Sequence, residues 1–241
     1  MRILITIDDG IQAPQLVPLA QWAQQLGEVT VVAPKHEQSG KSHGFQIRDP
    51  FECKQVELAP GITAWSVDST PADCIRFAVL GKKMEFDLVI SGVNRGLNLG
   101  SDILYSGTVA AVFEAARLGI KGVAFSTEPH CYDRSTEHLD EIWAFVCRHD
   151  LLNRSGLWNI NIPAEARGIR FTRQGGPYYS DDFLPIGNDL YQAHGKPVFV
   201  PSNEPELDTD STLLDGYISV TPLTIERTDM EVFRTLSALP V

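Results

Sequence analysis

Long apolar runs are missing from this chain. No stretch approaches the roughly 18 consecutive apolar residues of a membrane-spanning helix. The opening "MRILIT" lacks the longer apolar core and cleavage site of a signal peptide, so a cytoplasmic protein is expected. Cysteine is sparse. The four residues Cys53, Cys74, Cys131 and Cys147 include no C-x-x-C pair, which argues against a zinc ribbon or a thioredoxin-type motif. Buried thiols in a reducing compartment are the plainer reading. Basic residues are also short: 20 Lys and Arg stand against 31 Asp and Glu, for a formal net charge of -11. Such a chain has no broad basic face for phosphate neutralisation, so no stable nucleic-acid partner is expected. It lacks the Lys/Arg clusters of a membrane-surface binder as well. An anionic substrate would need a local attractor: a metal, a helix N-terminus or a few basic side chains.

Several phosphate and nucleophile motifs fail on spacing. "SGKS" (39–42) imitates the tail of a Walker A loop, but Lys35 stands where its first glycine is required. No G-x-G-x-x-G follows the first apolar run, and no G-x-S-x-G elbow is present.

What is there is an alternation of strand and helix patterns over the first 150 or so residues. "RILITI" (2–7) reads as a strand buried on both faces. Residues 12–26 place Leu16, Leu19, Ala20, Ala23 and Leu26 at helical spacing, and "EVTVVAP" (28–34) is a second strand. The short crossover implies parallel strands. Residues 43–68 suggest antiparallel excursions, 70–83 a helix, "FDLVISG" (86–92) a strand, 106–119 a helix capped by Ser106, and "KGVAFST" (121–127) a strand. Another helix is expected over 136–150, a strand at "LWNINIP" (157–163), and a short helix near 229–237. The reading is α/β: a Rossmann-like, doubly wound, mostly parallel sheet. A single domain spans 1–241, with an α/β core over 1–165 and a β-hairpin extension and C-terminal segment over 166–241.

Open parallel sheets bind ligands beyond the carboxyl ends of their strands. The first strand ends in Asp8-Asp9-Gly10, the second leads into "APKHEQSGKSHG" (33–44), and the third into "SGVNRGLNLGSDILYSG" (91–107). Asp8 and Asp9 offer carboxylates, Ser39 a hydroxyl, and Asn94 and Asn98 amide carbonyls. That all-oxygen set suits a hard cation such as Mg²⁺, Mn²⁺ or Ca²⁺. The alternative for Asp8-Asp9-Gly10 alone is a solvated turn. The glycine- and asparagine-rich third loop starts the clearest helix. There Ser106, Gly107 and Thr108 would grip a phosphate with unpaired amides and hydroxyls, or simply begin an ordinary capped helix. His36 and His43 flank the second loop as candidate proton donors or surface histidines.

These stretches resemble the survival-protein-E (SurE) family of metal-dependent 5′-nucleotidases almost end to end. "RILITIDDG", "VVAPKHEQSGKSHG", "STPADCI" (69–75), "SGVNRGLNLGSDILYSGTVAA" (91–111), "FTRQG" (171–175) and "DGYISVTPL" (215–223) carry the likeness. The resemblance implies metal ligands at Asp8, Asp9, Ser39 and Asn94, holding one divalent cation per subunit, Mg²⁺ or Mn²⁺. It implies a phosphate pocket of Asn98, Ser106, Gly107 and Thr108, with Asp8, Asp9, Asn98 and Ser106 as the catalytic set. It implies hydrolysis of nucleoside 5′-monophosphates, with polyphosphate or short RNA ends as further candidates, and a homodimer or homotetramer formed by C-terminal exchange. Two positions depart from the family pattern. Ile7 replaces the usual Asn before the paired aspartates, and Lys35 stands where an acidic or small polar residue is more usual. Ile7 keeps a second reading open: a non-catalytic nucleotide- or phosphate-binding regulator on the same fold.

Overall fold

The structure, a computed structural model, describes residues 1–239. In chain order the elements begin with β1 (Arg2–Thr6), α1 (Leu16–Ala23), β2 (Glu28–Pro34), β3 (Cys53–Ala59), β4 (Ile62–Val67), α2 (Pro71–Arg76), β5 (Leu88–Arg95) and α3 (Gly107–Arg117). They continue with β6 (Lys121–Thr127), α4 (Leu139–Arg148), α5 (Leu151–Arg154), β7 (Leu157–Ile162) and β8 (Ile169–Phe171). The rest are β9 (Tyr179–Ser180), β10 (Phe183–Gly187), β11 (Leu190–Ala193), β12 (Lys196–Pro197), β13 (Ile218–Pro222) and α6 (Met230–Ser237).

One nine-stranded sheet organises the molecule, in the order β3-β4-β2-β1-β5-β6-β7-β13-β8. From β4 to β7 every neighbouring pair is parallel, and β3 and β13 run antiparallel to their neighbours β4 and β7. β1 lies inside the sheet, next to the central strand β5: Ile3 faces Val29 of β2 on one side and Leu88 of β5 on the other.

Strand side chains alternate between faces, so "RILITI" must feed two cores. Ile3, Ile5 and Ile7 join one apolar cluster with Leu16, Leu19 and Ala23 of α1 and Leu139 and Ile142 of α4. Leu4 joins the other, with Cys74 of α2 and Val109 and Val112 of α3. Helices therefore cover both faces, as a doubly wound sheet requires. Truncating one of these fully buried residues, as in Ile5→Ala, would cost about 2–5 kcal/mol.

Three details differ from the sequence expectation. The helix expected over 70–83 is α-helical only to Arg76. The Lys82 amide then bonds the Phe77 carbonyl, five residues back, and the Phe77–Gly81 turn widens to π geometry. The strand expected to stop at 92 continues to Arg95 through a register shift between Ser91 and Asn94. A Cβ on Gly92 would lie 2.3 Å from the Phe125 carbonyl oxygen, so only glycine allows this close approach of β5 to β6. Finally, β8 and β13 belong to the main sheet although they lie beyond residue 165.

The hairpin extension is present. β9 pairs with β12 and β10 with β11, and the turn holds Asn188 and Asp189 at positive φ, as a two-residue hairpin turn demands. Its large apolar residues Phe183, Ile186, Leu190 and Tyr191 are exposed. α6 likewise has no buried residue in this single chain. Among the described residues no helix is long and apolar enough to cross a membrane.

Candidate active site

β1 ends at Thr6, and the chain then turns. Gly10 takes a φ of +94°, a left-handed value that favours glycine. The turn is pinned to the loop after β2: the Ile11 amide donates to the Pro34 carbonyl (2.7 Å), and the Gln38 amide to the Asp8 carbonyl (2.8 Å). Asp8 and Asp9 thus stand just past the strand, where two neighbouring side chains can turn to one side.

Asp8 is only 3% exposed. Its Oδ1 accepts the Thr108 hydroxyl at 2.5 Å. Gly107 faces it closely: a Cβ there would sit 3.1 Å from both Cβ and Oδ2 of Asp8. The first turn of α3 therefore abuts the first aspartate. The Ser106 hydroxyl accepts the Val109 amide at 3.0 Å and caps the helix as expected. Amides at such a first turn have no partners within the helix, and the helix dipole favours negative charge before them.

Asp9 is held from the end of β5 and the turn after β6. Its Oδ2 accepts the Arg95 amide (3.1 Å) and the Tyr132 hydroxyl (3.3 Å). Asn94 precedes Arg95, at the end of β5. Its Nδ2 is taken by the Gly96 carbonyl (2.7 Å), which leaves Oδ1 as the acceptor for another ligand. Ser39 follows Gln38 at the exposed rim, with its hydroxyl directed to Glu37 (2.8 Å).

The electrostatics are unfavourable as they stand. Burial pushes the Asp8 carboxyl up to about 6; the Thr108 hydrogen bond opposes this and the Asp9 charge adds to it. Burial also raises Asp9, against its bonds from Arg95 and Tyr132, with Glu37 adding repulsion. Burial and the Asp9 charge in turn raise the Tyr132 hydroxyl, so Tyr132 serves Asp9 as a neutral donor. Among the described residues, no Lys, Arg or His lies within ion-pair distance of either aspartate. Nor do three or more His, Cys, Asp or Glu side chains form a ready metal cluster. The donors present are two carboxylates, an amide oxygen and a hydroxyl, the hard-oxygen set that suits Mg²⁺ or Mn²⁺. The Arg95 charge offsets part of the cost at Asp9, and a cation there would relieve the rest.

Asn98 sits differently. Its amide donates to Ser126 (2.7 Å), its backbone amide donates to Asn161 (2.7 Å), and its carbonyl accepts from Asn159 and Asn161. Its contacts are with β6 and β7 rather than with Asp8, Asp9 or α3. Sequence reasoning missed these supports, together with Tyr132, Glu37 and Asp208. Asp208 is buried and takes the Gly100 and Gly175 amides, fixing the far end of the same loop. A signal existed for two of them: Asn159 and Asn161 alternate on a strand whose every residue is buried, and such amides need partners. The Ile7 departure falls outside the ligand set. Ile7 is fully buried in the α1-side core, whereas Asp8 meets α3 on the other face.

Comparison with known proteins gives the chain a family. The family model described as "Survival protein SurE" matches residues 3–181. The "5′-nucleotidase SurE" of Petrotoga mobilis is 35% identical, over 99% of this chain and 98% of its own. The "5′-nucleotidase SurE 1" of Thermus thermophilus is 38% identical, over 99% of this chain and 98% of its own. A crystal structure of the SurE protein from Aquifex aeolicus superposes with a TM-score of 0.76 at 30% identity, covering 98% of each chain. With matches of this length, and the paired aspartates set against the first turn of α3, the chain belongs to the SurE family.

Proposed function

We propose that this chain is a divalent-metal-dependent 5′-nucleotidase that hydrolyses nucleoside 5′-monophosphates to nucleoside and phosphate. The observation that carries the reading is the pair Asp8 and Asp9, buried and half-buried, with no ion-pair partner among the described residues, and Asp8 set against the N-terminus of α3. The relatives' names support the activity: those of Petrotoga mobilis and Thermus thermophilus are 5′-nucleotidases.

Asp8, Asp9, Ser39 and Asn94 would hold the cation, Mg²⁺ or Mn²⁺. When bound, such an ion supplies Lewis-acid polarisation of a phosphoryl oxygen and lowers the pKa of water. The chain's own residues do the rest. The amides of Gly107 and Thr108 and the Ser106 hydroxyl bind the equatorial phosphoryl oxygens, where transition-state charge gathers. Thr108 holds one oxygen of Asp8 by hydrogen bond and so orients the other. Asp9, more open to solvent than Asp8, accepts a proton from the attacking water. Asn98, braced by Asn159 and Asn161, gives one Nδ2 hydrogen to Ser126, and its second Nδ2 hydrogen is the one it would offer to a phosphoryl oxygen.

The exposed apolar residues of the hairpin and of α6 support a homodimer or homotetramer built by C-terminal exchange.

The test is phosphate release from a panel of nucleoside monophosphates, polyphosphate and short RNA ends, with Mg²⁺, Mn²⁺ or EDTA. Metal-dependent release from monophosphates, abolished in Asp9→Asn, is expected. Metal-dependent binding of a monophosphate without release would favour the regulator reading. Release indifferent to EDTA would overturn the metal.

A further inference from the structure

We infer that residues 36–46 form a strap that presents Ser39 to the cation, and that His43, Glu114 and Thr70 are positioning residues for it. This rests on the cation reading above.

Residues 35–52 connect β2 to β3 without helix or strand. A connection of that length inside a compact domain usually serves function. Apolar burial does not hold residues 36–46 down. None of them is buried, and Phe45 and the following Ile47 are 46% and 77% exposed, whereas Phe51, past the strap, packs half-buried against the core of α2 and α3. Polar attachments hold the strap instead, and they are closely spaced. The Gln38 amide donates to the Asp8 carbonyl (2.8 Å) and the Ser42 amide to the Tyr105 carbonyl (3.0 Å). His43 Nε2 meets Glu114 Oε2 at 2.9 Å. The Thr70 hydroxyl donates to the Gly44 carbonyl (2.7 Å), and the Gln46 amide to Asp73 Oδ2 (2.7 Å). These anchors lie past the end of β1, on α3 and the turn before it, and at the start of α2.

Two anchors are built for the purpose. Glu114 is a carboxylate on α3 with only 4% of its side chain exposed, and its other oxygen is engaged by Arg76 (3.2 Å) and Arg117 (2.7 Å). An ionised carboxylate only accepts, so His43 donates its Nε2–H. Thr70 works twice: its oxygen caps α2 by accepting the Asp73 amide, while its hydrogen holds Gly44. The strap, which carries Ser39, is thus tied to the helix whose first turn meets Asp8. Loosening the strap frees Ser39 and removes little apolar packing, chiefly the His43 ring from beside Phe113 (centroids 6.4 Å apart), which the thermal melt below accounts for.

The experiment measures Mn²⁺ affinity of the chelator-stripped full chain by electron paramagnetic resonance of free Mn²⁺, with a thermal melt of each variant. His43→Ala should weaken binding about tenfold, the lower end of what outer supports of a metal site contribute. His43→Gln, which restores a donor to Glu114, should recover most of it. Thr70→Val should act in the same direction, which keeps the test available if one variant folds poorly. The decisive arm is a double-mutant cycle. Ser39→Ala should weaken binding similarly, and adding His43→Ala to it should cost nothing more. Wild-type affinity in both His43→Ala and Thr70→Val would overturn the strap. So would an equal further loss in the Ser39→Ala background, because the effect would then not run through Ser39. A wild-type chain that binds no Mn²⁺ would overturn the cation reading itself, and the strap with it.

Discussion

Thr108 of α3 donates its hydroxyl to Asp8 at the end of β1, a contact between residues 100 apart in the chain. It joins the two halves of the candidate site, the carboxylates and the helix start. Thr108→Val keeps the shape and β-branching and removes only the donor. We expect the loss of the donor to buried Asp8 to cost about 1–3 kcal/mol of stability, and kcat for nucleoside monophosphate hydrolysis to fall by about 10- to 100-fold. Steady-state phosphate release at saturating metal measures it, and undiminished turnover would deny Thr108 this role.

Gly107 tests the same junction by volume. A methyl group there would sit 3.1 Å from Asp8 and 3.3 Å from Pro71, closer than ordinary van der Waals contact. Gly107→Ala should therefore displace the Asp8 carboxylate or the start of α3. A misplacement of about 1 Å costs about 100-fold in rate, so the few tenths of an ångström needed here should cost up to about tenfold. Assaying phosphate release beside a thermal melt separates that loss from unfolding.

Much of this was legible in the residues. The paired carboxylates at the end of an apolar strand, the Ser106 cap and the α/β alternation all follow from local chemistry and period. What was not legible depends on which distant elements become neighbours. Tyr132 lies in a 3₁₀ turn with no apolar period to announce it, yet it bonds Asp9. β13 reads as part of an appendage because its pattern does not say which sheet it joins; pairing with β7 decides that. Asn94 reads as a loop residue because the glycine-rich stretch hides the register shift that carries β5 on to Arg95. Asn98 reads as a phosphate ligand from its motif, and its braces on β6 and β7 emerge only from the fold.

Glu114 gives a pH-dependent prediction. Burial alone would raise its carboxyl, but hydrogen bonds from His43, Arg117 and Arg76 and the Arg117 charge hold it at about 2, against an ordinary 4.5. A depressed carboxylate stabilises the folded state fully above its unfolded pKa and loses that stabilisation as pH falls toward its folded value. Glu114→Gln should cost about 2 kcal/mol near neutral pH. The gap from wild type should shrink as pH drops below 4.5 towards 2. Urea unfolding at a series of pH values measures it. A gap that widened on acidification would contradict the ionised carboxylate.

α6 offers a prediction about assembly. Val232, Phe233 and Leu236 are each more than half exposed in the single chain. If C-terminal exchange covers them, the unaltered chain should sediment as a dimer or tetramer, and Phe233→Glu together with Leu236→Glu should sediment as a monomer. An unchanged oligomer would place the interface elsewhere.

The shared cation is tested most directly by anomalous diffraction from crystals soaked in Mn²⁺, recorded at the manganese edge. A single strong peak within coordination distance of Asp8 and Asp9, flanked by Asn94, is expected, and it should vanish in Asp9→Asn. No anomalous peak between the two aspartates, with both carboxylates turned to solvent, would contradict it.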